Sequence, residues 1–199
     1  MKDNNTYEFI LDQCFKLFLR KNYKDVTIVD IEEATGMSRG AVFYYAKDKN
    51  ELFRTVVDRF ILARQDINNK VVYAGDNSLR AFITSYLKGV ADTMGFILKA
   101  EVQNILRAYL ALIFNGVSYY DGFSQKVTLM LSLEVSVWEK FIKDGIRSGE
   151  LKDGLDVRTT ALNFQSIFYG LAFISSLDDG FDTGQLQKSF KEYYERIRR

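Results

Sequence analysis

A short segment near residue 40 combines side chains that suit contact with a nucleic acid. Arg39 can donate two hydrogen bonds to the O6 and N7 atoms of a guanine, and Ala41 can contact the methyl group of a thymine. Gly40 lies between them and is small enough to let the backbone approach closely. Ser38, a residue type that favours helix N-caps, predicts that a helix begins at this point. The first turn of that helix would then present groups that can read a base edge.

Residues on either side of this segment suit contact with phosphate. Thr27 and Lys49 stand at the predicted starts of the preceding and following helices, and helix N-termini direct N–H groups towards anions. Basic side chains are also frequent in the same part of the chain, at Lys16, Arg20, Lys21, Lys24, Arg39, Lys47 and Lys49. The net charge of the 199 residues is only +1, so the charge supports a local basic face and not a strongly basic coat.

The composition excludes several classes of function. The chain has no histidine and a single cysteine, Cys14, so Ser-His-Asp and Cys-His pairs and most zinc sites are ruled out. We therefore expect no enzyme, no metal and no cofactor. Low cysteine usage favours a cytoplasmic location. The longest apolar run, residues 108–114, is too short to span a membrane, so no membrane partner is expected.

Hydrophobic spacing predicts the helices that would position the DNA-facing groups. Thr27 followed by Asp30 resembles a capping box, and Gly36 ends the helix that this box begins. Short helix, glycine-containing turn and short helix is the pattern of a helix-turn-helix. A longer apolar stripe before it and another after it complete the region, which gives helices over about 7–18, 28–35, 38–45 and 49–61.

The rest of the chain is also helical by its pattern. No strand alternation is visible, and the complete absence of proline suits a mostly helical chain. A polar connection at 68–77 and a loop between Gly116 and Gly122 separate further apolar stripes at 79–90, 106–114, 123–147, 156–178 and 183–198. We therefore expect an all-α fold of about nine or ten helices. Helices 123–147 and 156–178 are apolar on two faces, so each must bury one face against a second surface.

Glu134 interrupts an apolar stripe in helix 123–147, and a buried carboxylate needs a partner. Two interpretations stay open from the residues alone. The carboxylate pairs with a structural cation such as Arg107 or Lys99, or it anchors a cationic or hydroxylated ligand in an aromatic pocket. Gln165 on the next helix is a second polar candidate. The aromatic side chains expected near such a pocket are Tyr86, Tyr109, Trp138, Phe164 and Phe168.

Residues from about 10 to 57 resemble the DNA-binding domain of TetR-family transcriptional regulators. The similarity runs without a gap and includes the turn residue Gly36 and the segment 38–45. A looser similarity, from Asp144 to Leu171, matches the junction of two later helices of that family. Four residues differ from the family pattern: Asn22 replaces a turn glycine, Glu32 a small residue, Phe43 a tyrosine and Ala46 a phenylalanine.

The resemblance implies two domains. Residues 1–62 would form a three-helix helix-turn-helix domain with its connecting helix, and residues 63–199 a helical ligand-binding and dimerisation domain. A homodimer would form through helices 123–147 and 156–178, as a four-helix interface, and would bind a palindromic operator in double-stranded DNA. The implied DNA contacts are Thr27, Ser38, Arg39, Gly40, Ala41, Phe43, Tyr44, Tyr45 and Lys49.

The expected function is that of a ligand-responsive repressor. A small-molecule effector, whose identity the sequence does not give, would bind the second domain and release the operator. The alternative is a DNA-binding regulator that responds to a protein partner or to no effector at all. Release of DNA by a small molecule distinguishes the two.

Overall fold

The computed structural model describes residues 4–72, 76–178 and 180–199, and its regular elements there are helices. An isolated β-bridge joins Leu151 to Arg198. The expected all-α fold is therefore confirmed. In chain order the elements are α1 (Asn4–Arg20), a 3-10 turn (Tyr23–Asp25), α2 (Ile28–Thr35), α3 (Arg39–Tyr45), α4 (Lys49–Val57), a π-helical turn (Asp58–Leu62), α5 (Ala63–Gln65), α6 (Ile67–Lys70), α7 (Leu79–Leu98), α8 (Ile105–Tyr119), α9 (Phe123–Ser148), α10 (Val157–Leu177) and α11 (Thr183–Ile197).

Contacts divide the chain into two compact units. Unit 1 holds the described residues up to Arg64 together with Ala100–Val127, and unit 2 holds Gln65–Lys99 and Thr128–Arg199. The sequence did not indicate that α8 would pack with the N-terminal helices. The proposed functional boundary between residues 62 and 63 stays a prediction. No helix in the described ranges combines the length and apolar character that crossing a membrane requires.

The core of unit 1 forms where α1 meets α2 and α4. Phe18 of α1 packs edge-to-face on Phe53 of α4 with ring centroids 5.1 Å apart, and Phe15 stacks on Phe60 at 4.5 Å. Cys14 is fully buried beside them, and desolvation raises the pKa of its thiol to about 12. The thiol is therefore held protonated as a small apolar group, which agrees with the structural role expected of it.

Gly116 marks a place where the expected loop is wrong. The helix α8 continues through this residue to Tyr119, although the glycine suggested a loop beginning there. A Cβ atom at Gly116 would lie 2.7 Å from the ring of Phe123, so the glycine permits close packing and does not end the helix. In the same way the expected connection at 68–77 begins too early, because α6 extends to Lys70. Residues 73–75 of that connection lie outside the described residues.

An aromatic core fills unit 2. The ring of Trp138 on α9 stacks on Phe164 of α10 with centroids 4.6 Å apart, and Phe82 of α7 stacks on Phe141 at 4.2 Å. Phe190 of α11 is also fully buried in this cluster. The three C-terminal helices begin and end within about two residues of their expected limits. The starts of α10 and α11 are fixed by Asp156 and Asp182, which cap them as aspartate commonly does.

Candidate nucleic-acid interface

A capping box fixes the start of α2. The backbone N–H of Thr27 donates to Asp30 Oδ2 at 2.7 Å, and the N–H of Asp30 donates to Thr27 Oγ1 at 3.1 Å. Lys21 Nζ donates to Asp30 Oδ1 at 2.6 Å. The hydrogen bonds from Lys21 and Thr27 lower the pKa of the Asp30 carboxyl to about 2. The predicted box is confirmed, and it rigidly positions the exposed first turn of α2.

The same box changes how Thr27 can meet a phosphate. Its hydroxyl hydrogen is donated to Asp30 Oδ2 at 2.8 Å, so both donors of Thr27 are already used within the protein. The N–H groups of Ile28 and Val29 follow in the first turn of α2, where a helix offers them no acceptor of its own. They are the donors at this position that suit phosphate.

The helix α3 presents its first turn to solvent. Ser38 is its N-cap and accepts the N–H of Ala41 at 3.4 Å, as its sequence position predicted. Val42 is fully buried and fixes the opposite face of the helix to the core of unit 1. Arg39 and Gly40 are exposed, whereas Ala41 is half-buried. Since a side-chain carbon at Gly40 would meet no described atom within 4 Å, this turn is open to a large partner.

Two tyrosines occupy the far end of α3. Tyr44 is 59% exposed and packs edge-to-face on Tyr45 with ring centroids 5.3 Å apart. Tyr45 is half-buried and stacks on Tyr7 of α1 at 5.8 Å, which holds its ring in place. Phe43 is half-buried and has no hydroxyl to offer a phosphate. Tyr44 is therefore the exposed member of this group that can donate to a DNA backbone.

Lys49 begins α4 and turns its ammonium group into unit 1. Nζ donates to the backbone carbonyls of Tyr23 at 2.9 Å and Val26 at 2.8 Å, and it lies 4.3 Å from the centroid of the Tyr23 ring. Partial burial lowers the pKa of Lys49, and the nearby charge of Asp25 opposes that shift. In this structure Lys49 positions the 3-10 turn before α2, and its direct contact with DNA stays a prediction.

A buried polar network surrounds Glu134 in unit 2. Its carboxylate accepts hydrogen bonds from the hydroxyls of Tyr86 at 2.7 Å and Tyr169 at 2.9 Å. Lys70 Nζ lies 4.0 Å from Glu134 Oε1, and both side chains are 1% exposed. The ammonium group also lies 4.7 Å from the centroid of the Phe168 ring. Burial lowers the pKa of Lys70, while the charge of Glu134 acts to raise it.

The network corrects the expected partner of Glu134. The cation is Lys70, not Arg107 or Lys99, both of which are exposed. Sequence reasoning missed Lys70 because it assigned residues 68–77 to a polar connection, whereas the short helix α6 places this lysine in the interior. The signal available in the sequence was Ile67, three residues earlier on the same helix face, which is also buried.

The expected pocket residues are only partly brought together. Trp138, Phe164 and Phe168 lie with Tyr86 in the core of unit 2, and Gln165 Nε2 donates to the carbonyl of Leu131 at 3.1 Å.

Tyr109 belongs to unit 1, where its hydroxyl donates to the carbonyl of Phe60 at 3.0 Å. Tyr109 is therefore assigned to a different unit from the other aromatic residues, because α8 packs against the N-terminal helices, and its role in a pocket stays a prediction. Trp138 Nε1 is buried and has no acceptor among the described residues.

Comparisons with known proteins agree with this geometry. The family described as bacterial regulatory proteins, tetR family, matches residues 10–56, which include α2 and α3. The transcriptional repressor AcnR of Corynebacterium glutamicum is 24% identical over 187 residues, 94% of this chain and 89% of AcnR. The repressor Rv1474c of Mycobacterium tuberculosis is 37% identical over 98 residues, 49% of each chain. The solved complex of SmeT with triclosan has a TM-score of 0.71 at 15% identity, over 98% of this chain and 93% of SmeT.

The exposed α3, held by a capped and buried framework, lies inside the matched segment and is the helix that we predict to read DNA. The match over residues 10–56, the similar repressors and the shared fold support a regulator of the TetR family. The expected class, a regulator and not an enzyme, is confirmed by the relatives, which are named transcriptional regulators.

Proposed function

We propose that this chain is a homodimeric repressor that binds a palindromic operator and releases it when a small-molecule effector binds. The observation that carries the DNA-binding part is the exposed first turn of α3, with Arg39 and Gly40 facing outward. Two such helices in a dimer would lie about one DNA turn apart, about 34–36 Å. The names of AcnR and Rv1474c support repression as the direction of regulation. A cytoplasmic location stays a prediction.

We expect Arg39→Ala to weaken operator binding by about 1–3 kcal/mol and to relax the preference at one base pair in each half-site. The reason is that a guanidinium makes two directed hydrogen bonds to one guanine, whereas alanine makes none. Selection of bound sequences from random DNA, for the wild-type and variant chains, measures both effects.

Arg20→Ala is the matched control for Arg39→Ala. Arg20 is an exposed arginine at the end of α1 and is not expected to read a base. Its removal should leave the selected sequence unchanged and should at most reduce affinity for all DNA equally. If Arg39→Ala also leaves the selected sequence unchanged, Arg39 contacts phosphate and not a base.

The dimer is proposed from apolar side chains that unit 2 leaves uncovered. On α9, Leu129 is 72% exposed and Leu133 is 38% exposed, although the opposite face of this helix buries Trp138. On α10, four large apolar residues are exposed in the same way: Leu162, Phe173, Ile174 and Leu177. Neighbouring exposed apolar groups of this size favour a protein interface. A second copy of the same two helices, related by a two-fold axis, would cover them.

We expect Gly170→Arg to convert the dimer to a monomer of about 23.0 kDa at micromolar concentration, without unfolding it. Gly170 is exposed on α10, and a side chain there meets no described atom of the same chain within 4 Å. The arginine would therefore be tolerated in the monomer but would place a charge in the interface. Sedimentation velocity measures the change.

Gly95→Arg provides the control for the dimer test. Gly95 is also an exposed helical glycine with open space around it, but it lies on α7, outside the proposed interface. This variant should remain dimeric. A wild-type chain that sediments as a monomer would remove the dimer from the proposal.

The effector site is proposed in the interior of unit 2, around Glu134 and Trp138. The buried Trp138 Nε1 lacks an acceptor, and buried polar groups of this kind normally have one. A ligand that supplies an acceptor there would gain a hydrogen bond that the protein alone does not make. SmeT, which shares the fold, has been solved in complex with triclosan. To change operator occupancy from 99:1 to 1:99, the effector needs differential affinity of about 5.5 kcal/mol for the two states.

Screening small molecules for release of the selected operator tests this part of the proposal. A compound that releases the DNA and quenches or shifts the fluorescence of Trp138, the single tryptophan, supports a site in unit 2. If a broad screen gives no release, the alternative regulator, controlled by a protein partner or by no effector, is favoured.

A further inference from the structure

A carboxylate lies at the first residue of the DNA-reading helix. Glu32 Oε1 accepts the backbone N–H of Arg39 at 2.6 Å. Glu32 belongs to α2, seven residues before Arg39 in sequence, so the bond crosses the turn of the helix-turn-helix. Its negative charge is thereby fixed next to the residue expected to read a base. The sequence marks this position as unusual, because Glu32 stands where a small residue is typical.

The charge of Glu32 is not neutralised by a neighbouring side chain. Among the described residues, no lysine or arginine nitrogen lies within 4.0 Å of its carboxylate, whereas Asp30 on the same helix is paired with Lys21. The side chain is half-buried, so it retains contact with solvent on the exposed side of the unit. A carboxylate has about four acceptor positions, and the bond to Arg39 uses one of them.

These features have opposite consequences for different DNA sequences. A fixed anion beside α3 repels the phosphates that every duplex presents, so it weakens binding to DNA of any sequence. The free oxygen can accept a hydrogen bond from the N4 amino group of a cytosine, which offsets the repulsion only where that base is present. Specificity is the difference between the affinity for the correct DNA sequence and the affinity for incorrect ones.

We propose that Glu32 is a specificity-determining residue that raises the ratio of operator binding to non-operator binding. Its negative charge repels phosphate, and its free oxygen accepts a hydrogen bond from a cytosine amino group next to the base that Arg39 reads. This inference rests on the proposed DNA-binding function but names a residue outside the helix α3. Its second role is to fix the first turn of α3 through the hydrogen bond to Arg39.

Glu32→Gln separates the charge from the hydrogen bond. The amide oxygen can still accept the N–H of Arg39, but the negative charge is gone. We expect this variant to bind a non-operator duplex about five-fold more tightly at low salt, as a charge interaction of about 1 kcal/mol implies. Its affinity for the selected operator should stay the same or fall, so the ratio of the two affinities should fall by about five-fold or more. Fluorescence anisotropy with both duplexes over a range of salt measures this ratio.

Glu33→Gln is the matched control, because Glu33 is the adjacent acid on α2 and is exposed. It changes the net charge by the same amount without touching α3, and it should leave the ratio nearly unchanged. Circular dichroism at the binding temperature verifies that each variant is folded. If Glu32→Gln is unfolded at the binding temperature, Glu32→Asp is measured in its place. This variant keeps the charge but shortens the side chain, and it should preserve the low affinity for non-operator DNA.

Three results would overturn the inference. A Glu32→Gln variant that changes both affinities by the same factor would make Glu32 a purely structural residue. A Glu33→Gln variant that reproduces the whole effect would show that the change in net charge alone is sufficient to cause it. A wild-type chain that selects no DNA sequence would overturn the proposed function and this inference together. The measurement on the wild-type chain alone distinguishes this result from the two results obtained with variants.

Discussion

Lys70→Met lowers the free energy of unfolding by about 3–5 kcal/mol, because it leaves the carboxylate of Glu134 buried without its cation. Both side chains are 1% exposed, so water cannot replace the lost partner. Methionine has nearly the volume of lysine, and the change therefore removes the charge without opening a large cavity. The remaining hydrogen bonds from Tyr86 and Tyr169 reduce the penalty but do not neutralise the carboxylate. Urea unfolding monitored by circular dichroism measures the loss.

The double variant Lys70→Met/Glu134→Gln is the control for this result. It removes both charges and keeps an oxygen that can accept from Tyr86. We expect it to be more stable than Lys70→Met, since replacing both members of a buried pair is far less costly than removing one. If Lys70→Met unfolds at the same urea concentration as the wild-type chain, the pair is accessible to water and Glu134 is not a structural anion.

The second large effect is expected at Gly89, where α6 approaches α7. A Cβ atom at this residue would lie 1.9 Å from the backbone carbonyl oxygen of Lys70 and 2.9 Å from its carbonyl carbon. Backbone atoms cannot move aside as the end of a flexible side chain can. Gly89→Ala should therefore separate α6 from α7 and lower the free energy of unfolding by at least about 2 kcal/mol, despite the better helix propensity of alanine.

Gly95→Ala, on the same helix, separates this clash from the effect of helix propensity. Gly95 is exposed, and an added Cβ would meet no described atom within 4 Å. This variant should be more stable than the wild-type chain by up to about 1 kcal/mol. Equal effects of the two substitutions would show that the close approach at Gly89 does not exist in solution. The close approach of α6 to α7 at Gly89 also allows the side chain of Lys70 to reach the interior of unit 2.

Most of the local structure could be predicted from the sequence. Thr27 with Asp30, Ser38 and Gly36 are cap and turn residues whose hydrogen-bonding groups act within a few positions of the chain, and all three signals mark real helix boundaries. The exposed face of α3 also follows from local spacing, because Val42 on its opposite side is apolar. The glycine at 116 is one exception, since its role depends on the ring of Phe123 packed against the helix and not on its neighbours in sequence.

The packing of the helices sets which distant groups meet. The sequence alone predicts an all-α chain with a helix-turn-helix and an exposed Arg39, because periodicity and capping are short-range properties. It could not determine that Lys70 neutralises Glu134, that Tyr109 packs in unit 1, or that the carboxylate of Glu32 caps Arg39. Each of these contacts joins different helices, and its geometry depends on how those helices pack. Burial then sets the energetic weight of a charge, which is why an ordinary lysine becomes a buried structural cation.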